Sequence, residues 1–354
     1  MPSLQDVARV AGVSVSTASK VLNTGTELDR IGAECARRIR KAARQLKYRP
    51  NYHARSLLTG KANTIGVSLQ IVGATDVLGD AYWGTLIGGV EAHARERGYE
   101  VLLVGPTPPA LAADRGLQNL QERRIDGLIN LGWIHDSTVR RAERAARVPM
   151  VLVDHVGKTS LPVVEIDNSA GIRAVVRHLA ELGHRNLLWL GPRQKSPDTP
   201  VRRVKAFREA VAETGIRGGC CSFEHSGTGQ DGQLLIERSA KALAARLKRP
   251  RSFTAVVCYN DVTAVGAYRA AEAAGLRIPA DLSVTGFDDA YGRYFCPGLT
   301  TLSHMFETGR RASMLLLEIC ENPGQRRRRK GYRENVAPQL VVRGSTAPPK
   351  GGKS

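Results

Sequence analysis

The first fifty residues space their apolar positions in the way that helices do. In a first segment, apolar side chains recur at intervals of three and four residues: Leu4, Val7, Ala8 and Ala11. Gly12 interrupts this pattern, and Ser14 can cap a second helix by accepting a hydrogen bond from a free backbone N–H. The second helix has an apolar inward stripe: Ala18, Val21 and Leu22. Its other faces are polar and carry Ser16, Thr17 and Lys20.

A third helix is predicted over about residues 32–46. Its inward positions are apolar: Ile39, Ala42, Ala43 and Leu46. Its outward positions are basic: Arg37, Arg38, Arg40, Lys41 and Arg44. Because each helix alone would be marginal in water, we expect the three to pack into one small domain over residues 1–49. Pro50 ends the third helix, and we interpret residues 50–61, with a short helix at Tyr52–Leu58, as a hinge.

From Ile65 onward, apolar strands alternate with helical segments. A first series has strands at Ile65–Gln70, Val101–Gly105, Gly127–Leu131 and Val148–Val153, with helices at Trp83–Arg97, Leu111–Arg123 and Ser137–Arg147. A second series has strands at Val163–Ile166, Asn186–Gly191, Cys220–Phe223, Ala255–Cys258 and Ser283–Phe287, with helices at Asn168–Leu182, Val201–Thr214, Gly232–Leu247 and Asp261–Ala274. Such alternation predicts parallel sheets flanked by helices on both faces. Two series predict two lobes.

The predicted core spans residues 62–346. We assign about 62–165 plus 302–330 to the first lobe, and about 166–298 plus the last strands to the second. The tail, 347–354, is predicted to be disordered because it is rich in proline, glycine and lysine. Since ligands of parallel sheets bind outside the carboxyl ends of the strands, we expect a ligand site in the cleft between the lobes.

Charge is concentrated at the amino terminus. Residues 1–61 hold 12 Lys and Arg against 4 Asp and Glu, a net charge of +8, within a chain whose total net charge is +19. This concentration indicates a phosphate-rich partner. A solvated basic helix is the alternative, which charge alone does not exclude.

Several classes of protein are disfavoured. There is no apolar run long enough to span a membrane and no secretory signal, and the six cysteines form no C-x-x-C pair, so we expect a cytoplasmic protein. An enzyme would need a catalytic or phosphate-binding motif. The first strand is followed by VGATDVLGDAYW rather than a glycine-rich phosphate loop, and G-x-S-x-G, H-E-x-x-H and P-loop motifs are absent. We therefore expect no catalysis, no cofactor and no metal.

Loops at the expected cleft carry aromatic and polar side chains: Tyr82, Trp83, Asp154, Arg203, Asn260, Asp261, Asp288 and Asp289. An aromatic face with carboxylates, an amide and a guanidinium suits a polyhydroxylated ring. Alternatives stay open, because Asn260 or Asp261 could only cap a helix, Trp83 could be core and Asp289 could be structural. Arg203 and Asp288 are the strongest candidates, since an unpaired charge at a strand or helix end needs a partner.

Motifs spread over the chain resemble one family. LQDVARVAGVSVSTASKVLN, YRPNYHARSL, VPMVLVDH, HLAELGHRNLLWLG, NDVTAVGAYRAAEAAGLRIPADLSVTGFDD, LTTLSHMFETGRRASMLLLE and PQLVVRGST occur in the order found in the lactose-repressor (LacI/GalR) family of bacterial transcription regulators. The resemblance runs from Leu4 to Thr346. It implies an N-terminal helix-turn-helix DNA-binding domain and a two-lobed α/β core like that of periplasmic binding proteins.

The resemblance also implies roles for residues that contact DNA. The second helix reads the operator, with contacts expected from Ser14, Val15, Ser16, Thr17, Ser19, Lys20 and Asn23. Many relatives have Arg where this chain has Lys20. Arg can donate two parallel hydrogen bonds to guanine, whereas Lys acts as a point charge. The hinge is expected to contact the minor groove through Tyr52, Ala54, Arg55 and Leu57. The leucine is expected to act as a wedge that opens a central base step. Two alternatives stay open: Asn23 could be only a helix cap, and Leu57 could pack on the core.

In the core, the resemblance implies that Tyr82, Trp83, Asp154, Arg203, Asn260 and Asp288 contact an effector, expected to be a carbohydrate. It also implies a homodimer on a near-palindromic operator, and the tail lacks the heptad repeat that some relatives use to form tetramers. A sugar-binding protein without a regulatory role on DNA is the alternative. The run Arg326–Lys330 is either an extra contact to an anion or, the preferred interpretation, a solvated loop.

Overall fold

A computed structural model describes the protein over residues 2–24, 31–49, 56, 59–69, 80–104, 112–132, 134, 136–145, 148–193, 199–224, 232–322, 324 and 329–350. The chain divides into two compact units. One comprises Met1–Asn63 and Arg123–Asp126, and the other comprises Thr64–Glu122 and Gly127–Ser354.

The first unit is helical. It contains α1 (Leu4–Ala11), α2 (Val15–Ser19), a π-helical turn (Lys20–Thr24) that continues α2, and α3 (Ala33–Gln45). The three helices share one small core of mostly short side chains, formed by Val7, Ala8, Ala11, Ala18, Val21, Ala36, Ile39, Ala42 and Ala43. The predicted apolar stripes are therefore the ones that pack together.

The second unit begins with a six-stranded parallel sheet, which defines the first lobe. Its strands are β1 (Thr64–Leu69), β2 (Glu100–Val104), β3 (Gly127–Leu131), β4 (Met150–Val153), β5 (Val163–Ile166) and β11 (Arg333–Val336), in the spatial order β11-β5-β4-β3-β1-β2. Its helices are α4 (Ala81–Glu96), α5 (Ala112–Gln121), α6 (Asp136–Arg144) and α11 (Met305–Glu321). Alternate side chains of β3 pack on different helices: Leu128 contacts α5, and Ile129 joins the core with α4 and α11.

A four-stranded parallel sheet defines the second lobe. Its strands are β6 (Asn186–Arg193), β7 (Arg217–Glu224), β8 (Ala255–Cys258) and β9 (Ser283–Thr285), in the order β7-β6-β8-β9. Helices α7 (Asn168–Glu181) and α8 (Thr199–Glu213) contribute to one core cluster of this lobe, and α9 (Gly232–Leu247) and α10 (Asp261–Ala273) contribute to the other. The predicted strands and helices agree with these bounds to within a few residues.

The chain passes between the lobes three times. It leaves the first sheet after β5, returns through β10 (Thr301–Ser303) to α11, and leaves again after β11 to reach β12 (Gln339–Val341). Strands β10 and β12 pair antiparallel with each other. Two predictions are wrong here. Val163–Ile166 does not open the second series, and β11 belongs to the first lobe. Both strands pair in the first sheet because long-range register, which a local pattern does not encode, decides membership.

Helices α4 and α11 lie side by side and run in the same direction. Gly89 of α4 and Gly309 of α11 each face the other helix so closely that an added Cβ would overlap the backbone carbonyl of Phe306 or of Leu86. Beyond the crossing, His93 Nδ1 lies 3.1 Å from Ser313 Oγ. This pair of helices is therefore in backbone contact along its middle.

The C-terminal residues pack on the second lobe. His184 Nε2 lies 3.0 Å from the Ala347 carbonyl, the Ala347 N–H donates to Ser283 Oγ at 3.1 Å, and Lys350 pairs with Asp281. The prediction of disorder is therefore wrong for residues 347–350, because buried polar groups of the second lobe use this segment as a hydrogen-bond partner. Residues 351–354 lie outside the described part. No helix among the described residues has the length and apolar character needed to cross a membrane.

Candidate functional site

Helices α1 and α2, and the turn between them, are fixed by caps at the helix ends. Ser3 and Asp6 form a reciprocal capping box at the start of α1, and hydrogen bonds from Ser3 lower the pKa of the Asp6 carboxyl. Gly12 ends α1 with φ of 64°, a left-handed conformation that glycine adopts without strain. The Thr17 N–H then donates to Ser14 Oγ at 3.1 Å, which starts α2. Local hydrogen bonds thus set the direction in which α2 leaves the turn.

Helix α2 exposes the residues predicted to read DNA bases. Val15, Ser16 and Lys20 are exposed, whereas Ala18 is buried in the core of the unit. Ser14, besides capping the helix, lies 2.8 Å from Thr17 through the two side-chain oxygens. Ser19 is half-buried. The side chain of Asn23, and all of Tyr52, Ala54, Arg55 and Leu57, lie outside the described residues.

Helix α3 adds a basic surface to the same unit. All five basic residues predicted to face outward are exposed: Arg37, Arg38, Arg40, Lys41 and Arg44. Arg37 pairs with Glu34 one turn before it. A short helix with an exposed polar face, beside a helix with exposed positive charge, has the two kinds of contact that duplex DNA requires, to base edges and to phosphates.

In the second unit, the candidate residues follow the carboxyl ends of strands. Asp154 comes directly after β4 in the first lobe, and Asp288 follows β9 in the second. Their φ angles are 53° and 105°, and among residues other than glycine Asp is one of those that adopt positive φ most readily. Backbone conformation of this kind is concentrated at ligand sites. Both turns contact the helix Thr199–Glu213, because Arg202 lies near Asp154 and Arg203 contacts Asp288.

Arg203, on α8, is the centre of a buried network. Its side chain is 3% exposed. It donates from Nε to Asn168 Oδ1 at 2.8 Å, from Nη1 to the Tyr259 carbonyl at 2.8 Å, and from Nη2 to Asp288 Oδ1 at 3.2 Å. Its guanidinium carbon lies 3.5 Å from the centre of the Phe287 ring. The argument that Arg203 and Asp288 are unpaired charges is therefore wrong, because they pair with each other.

His304 shares the same carboxylate oxygen. Its Nε2 lies 3.1 Å from Asp288 Oδ1, and its side chain is fully buried. The ring lies between Tyr82 and Phe287, with centroid distances of 6.4 and 5.5 Å. Asp288 Oδ1 thus holds an arginine and a histidine, while His304 Nδ1 has no hydrogen-bond partner among the described residues.

Asp154 connects the lobes through α8. The Thr199 hydroxyl donates to Asp154 Oδ2 at 2.9 Å, and Arg202 Nη1 lies 3.7 Å from Oδ1. Oδ1 is buried and receives no hydrogen bond within the described part of the chain. Burial raises the pKa of this carboxyl, and Arg202 opposes the increase.

The two aromatic candidates have different environments. Trp83 is 8% exposed and belongs to the core of the first lobe, packed close to Gly132, so it fits the core alternative. Tyr82 meets Trp83 edge-on with centroids 5.0 Å apart. Burial, and then the charges of Asp288 and Asp154, raise the pKa of Tyr82 well above its usual value.

The remaining candidates have structural contacts. Asn260 caps α10, because its Oδ1 accepts from the Thr263 N–H at 2.9 Å. Asp261 is 1% exposed and accepts from Thr301 Oγ1 at 2.6 Å, and burial raises its pKa to about 7. Asp289 pairs with Arg343 at 2.8 Å. These contacts fit the capping and structural alternatives for Asn260 and Asp289.

Residues of the network that the sequence did not single out are Asn168, Thr199, Arg202, Tyr259, Phe287 and His304. Asn168 lies two residues after a predicted strand, as Asn260 does, so the same strand-end signal applies to it. A buried histidine such as His304 carries no such signal, because its spacing is that of a core residue.

The basic run before β11 is only partly described. Arg329 pairs with Glu318 at 3.0 Å and lies over the Tyr332 ring at 4.4 Å, so its charge is used within the first lobe. Arg326–Arg328 lie outside the described residues. Within the described ranges there is also no group of three or more His, Cys, Asp and Glu arranged to hold a metal ion.

A helix-turn-helix unit joined to a two-lobed α/β core with a polar cleft defines a class, the ligand-responsive DNA-binding regulators. Comparisons with known proteins agree with this class. Residues 3–51 match the bacterial regulatory proteins of the lacI family, and residues 176–346 match the periplasmic binding protein-like domain. The chain is 30% identical to the HTH-type transcriptional regulator DegA of Bacillus subtilis, over 98% of both chains. It is also 30% identical to the HTH-type transcriptional repressor CytR of Escherichia coli, over 97% of this chain and 96% of that one.

Among solved structures, the lac repressor dimer bound to operator and the anti-inducer ONPF superposes with a TM-score of 0.75, covering 98% of this chain and 99% of that chain at 24% identity. The chain belongs to the lacI family of bacterial transcription regulators. The predicted family and the predicted fold class are confirmed.

Proposed function

We propose that the protein is a homodimeric repressor that binds a near-palindromic operator and is controlled by a small molecule held between the lobes of its core. It acts in the cytoplasm and catalyses no reaction. Residues 1–49 bind DNA, 50–61 form the hinge, and 62–346 form the effector-binding and dimerisation core. The exposed polar face of α2, beside the basic surface of α3, is the observation that carries the DNA-binding part.

On DNA, two copies of α2 enter successive major grooves about one helical turn apart. Val15, Ser16 and Lys20 read base edges, and Ser14, Thr17, Ser19 and Asn23 hold phosphates or adjacent base edges. Tyr52, Ala54 and Arg55 contact the minor groove. Leu57 of each hinge opens the central base step, and the cost of unstacking is offset by wider contact with bent DNA.

In the core, the effector is a carbohydrate or a carbohydrate derivative. Tyr82, Asp154, Arg203 and Asp288 are the contacts best supported by the network around the cleft. Trp83 supports Tyr82 from the core, and Asn260 contributes at the N-terminus of the helix that it caps. Binding rotates one lobe against the other and changes the position of the hinges, so that operator affinity changes by a coupling free energy of about 1–3 kcal/mol.

The DNA-binding part is tested by selecting an operator from randomised duplexes with the full-length protein. We expect a near-palindrome to be enriched. Lys20→Ala is expected to relax the base preference at one position of each half-site, because a side chain that meets a base edge is removed. Lys205→Ala, which removes an exposed lysine from α8, is the matched control and leaves the preference unchanged. Failure to enrich any sequence would favour a sugar-binding protein without a regulatory role.

The wedge is tested with Leu57→Ala, measured by fluorescence anisotropy on the selected operator. We expect specific binding to weaken at least about tenfold, because the inserted side chain no longer stabilises the bent DNA. Effector affinity stays unchanged. Leu58→Ala removes the same atoms from the next position and is the control. Equal operator affinity of Leu57→Ala and the parent protein would reject the wedge.

A further inference from the structure

The hydrogen-bonding groups left over in the cleft network are mostly acceptors. Asp154 Oδ1 and His304 Nδ1 are buried and receive no hydrogen bond within the described ranges. Asp288 Oδ1 accepts from Arg203 and lies 3.1 Å from His304 Nε2, and its Oδ2 receives no hydrogen bond from the described residues. In the neutral ring of His304 the hydrogen is on Nε2, because Nε2 faces a carboxylate, and Nδ1 then presents a lone pair. Three hydrogen-bond acceptors, one on each of three residues, are therefore available to a ligand that donates hydrogen bonds.

The positive charges of the network are already paired with oxygen atoms of the protein. Three of the five N–H groups of Arg203 donate to protein oxygens, and the aromatic ring of Phe287 covers its guanidinium. Arg202 lies 3.7 Å from Asp154. Among the described residues of this network, two arginines thus balance two carboxylates, and a bound anion would meet Asp154 and Asp288 without a further cation from these residues. Unlike the acceptors, these donors offer little to a ligand.

We propose that Asp154, Asp288 and His304 form an acceptor surface that selects an uncharged, hydroxyl-bearing ligand and excludes its phosphorylated form, with His304 as a specificity-determining residue. The inference rests on the proposed function, since it concerns the ligand of the same cleft. Hydroxyl groups donate to Asp154 Oδ1, Asp288 Oδ2 and His304 Nδ1. Tyr82, whose ring centroid lies 6.4 Å from that of His304, adds an aromatic surface from the first lobe.

A phosphate group fits this surface poorly for two reasons. It is an acceptor at every oxygen, so it leaves the three acceptors of the protein unsatisfied. It also brings negative charge close to two carboxylates that are largely buried, where like charges repel strongly. A cationic ligand is attracted less strongly than two carboxylates alone would attract it, because Arg202 and Arg203 lie in the same network.

The experiment uses the full-length protein and matched pairs of probes: ribose and ribose 5-phosphate, glucose and glucose 6-phosphate, and uridine and uridine 5′-monophosphate, together with a library of uncharged sugars, polyols and nucleosides. Binding is detected as a rise in Tm and quantified by calorimetry. We expect at least one uncharged compound to bind, and its phosphorylated form to bind at least about 100-fold more weakly.

Asp154→Asn tests the charge of the acceptor surface. Asparagine also accepts the left-handed backbone at this position, so the fold is retained. The variant removes one repelling charge and adds a donor, and we expect the preference for the uncharged form to fall at least about tenfold. Asp114→Asn makes the same change of net charge at an ion pair with Arg141 on the surface of the first lobe, and it leaves the preference unchanged.

His304→Leu and His304→Gln test the histidine. The leucine variant lacks both the donor to Asp288 and the free acceptor, and we expect the uncharged ligand to bind at least about tenfold more weakly. The glutamine variant keeps a donor and an acceptor and restores much of the affinity. A merely structural role for the ring would weaken both variants alike and would overturn this assignment.

Two results would overturn the inference as a whole. One is a phosphorylated probe that binds as tightly as the best uncharged compound. The other is the absence of binding by every uncharged compound in the library. Operator binding is measured on the same protein samples, so a protein that still selects its operator while failing these tests refutes the ligand assignment alone.

Discussion

The positive charge of Arg203 is compensated within the protein rather than by solvent. Its side chain reaches Asn168, Tyr259 and Asp288 and lies on the face of Phe287. A buried ion pair is costly to break, because removing one partner leaves the other charge without compensation. Arg203 therefore supports the folded second lobe as well as the ligand site.

Arg203→Ala is expected to lower the free energy of unfolding by about 3–5 kcal/mol, since Asp288 would remain buried with only His304 beside it. Urea denaturation measures the loss. Adding Asp288→Asn to the same protein removes the uncompensated charge and recovers part of the stability. In samples that remain folded, the ligand response is lost while operator affinity is retained. A change below about 1 kcal/mol would mean that water, rather than Asp288, balances the arginine.

The Asp261 carboxyl makes stability depend on pH. Burial, and then the nearby charge of Asp288, raise its pKa to about 7. Protonated Asp261 is favoured in the folded state, so its contribution to stability is complete below about pH 4 and is lost as the pH rises through 7. For Asp261→Asn we expect the difference in unfolding free energy from the parent protein to change by at most about 4 kcal/mol between pH 4 and pH 8, in favour of the variant. A pH-independent difference would contradict the assignment.

Single residues differ in how well their position predicts their role. Asp154 and Asp288 were predictable as cleft residues because they follow strands of parallel sheets. Their contacts were not, since Arg203, although itself a predicted cleft residue, and His304 come from distant parts of the chain, and a local pattern does not encode which side chains pair. The capping role of Asn260 was among the alternatives because capping is local.

Among the larger elements, the crossing of α4 and α11 depends on two glycines. Gly89 and Gly309 each remove a side chain where the backbone of the other helix passes. Helix periodicity predicted both helices but not their contact, because glycine in a helix has no preferred partner in the sequence. Membership of β5 and β11 in the first sheet was missed because strand pairing is also a long-range contact that a local pattern does not encode.

Gly89→Ala is expected to lower stability by about 1–3 kcal/mol, because the added methyl group overlaps the Phe306 carbonyl and forces the helices apart. The neighbouring Gly88 is the matched control. An added Cβ there meets nothing within 4 Å, so Gly88→Ala is expected to raise stability by up to about 1 kcal/mol through helix propensity. Thermal unfolding of both variants gives the comparison. Similar effects of the two substitutions would show that the crossing tolerates a wider separation.

At the scale of the whole molecule, family and fold class could be predicted from motifs that run in one order along the chain. The operator, the effector and the sign of the response could not, because the same architecture can couple a ligand to tighter or to weaker DNA binding. What the architecture does require is that the coupling be mutual.

We therefore expect the factor by which ligand changes operator affinity to equal the factor by which operator changes ligand affinity. The factor should lie between about 5 and 150, the usual range of such coupling. Calorimetry of ligand binding with and without operator, and anisotropy of operator binding with and without ligand, give the two values independently. Unequal factors would mean that ligand also changes the association of subunits.

The parallel pair of α4 and α11 has one more consequence. Both helices begin at the cleft, where Tyr82 and His304 lie, and both end at the opposite edge of the first sheet, where Arg97 pairs with Glu321. Strand β1 begins at that same edge, directly after the hinge segment in sequence. The pair is about 24 Å long, and its backbone contact resists bending. A tilt of about 5° at the ligand end would displace the far end by about 2 Å. Contact with a ligand hydroxyl group at the cleft would thus move the far ends of the two helices, which lie at the edge of the sheet where β1 begins.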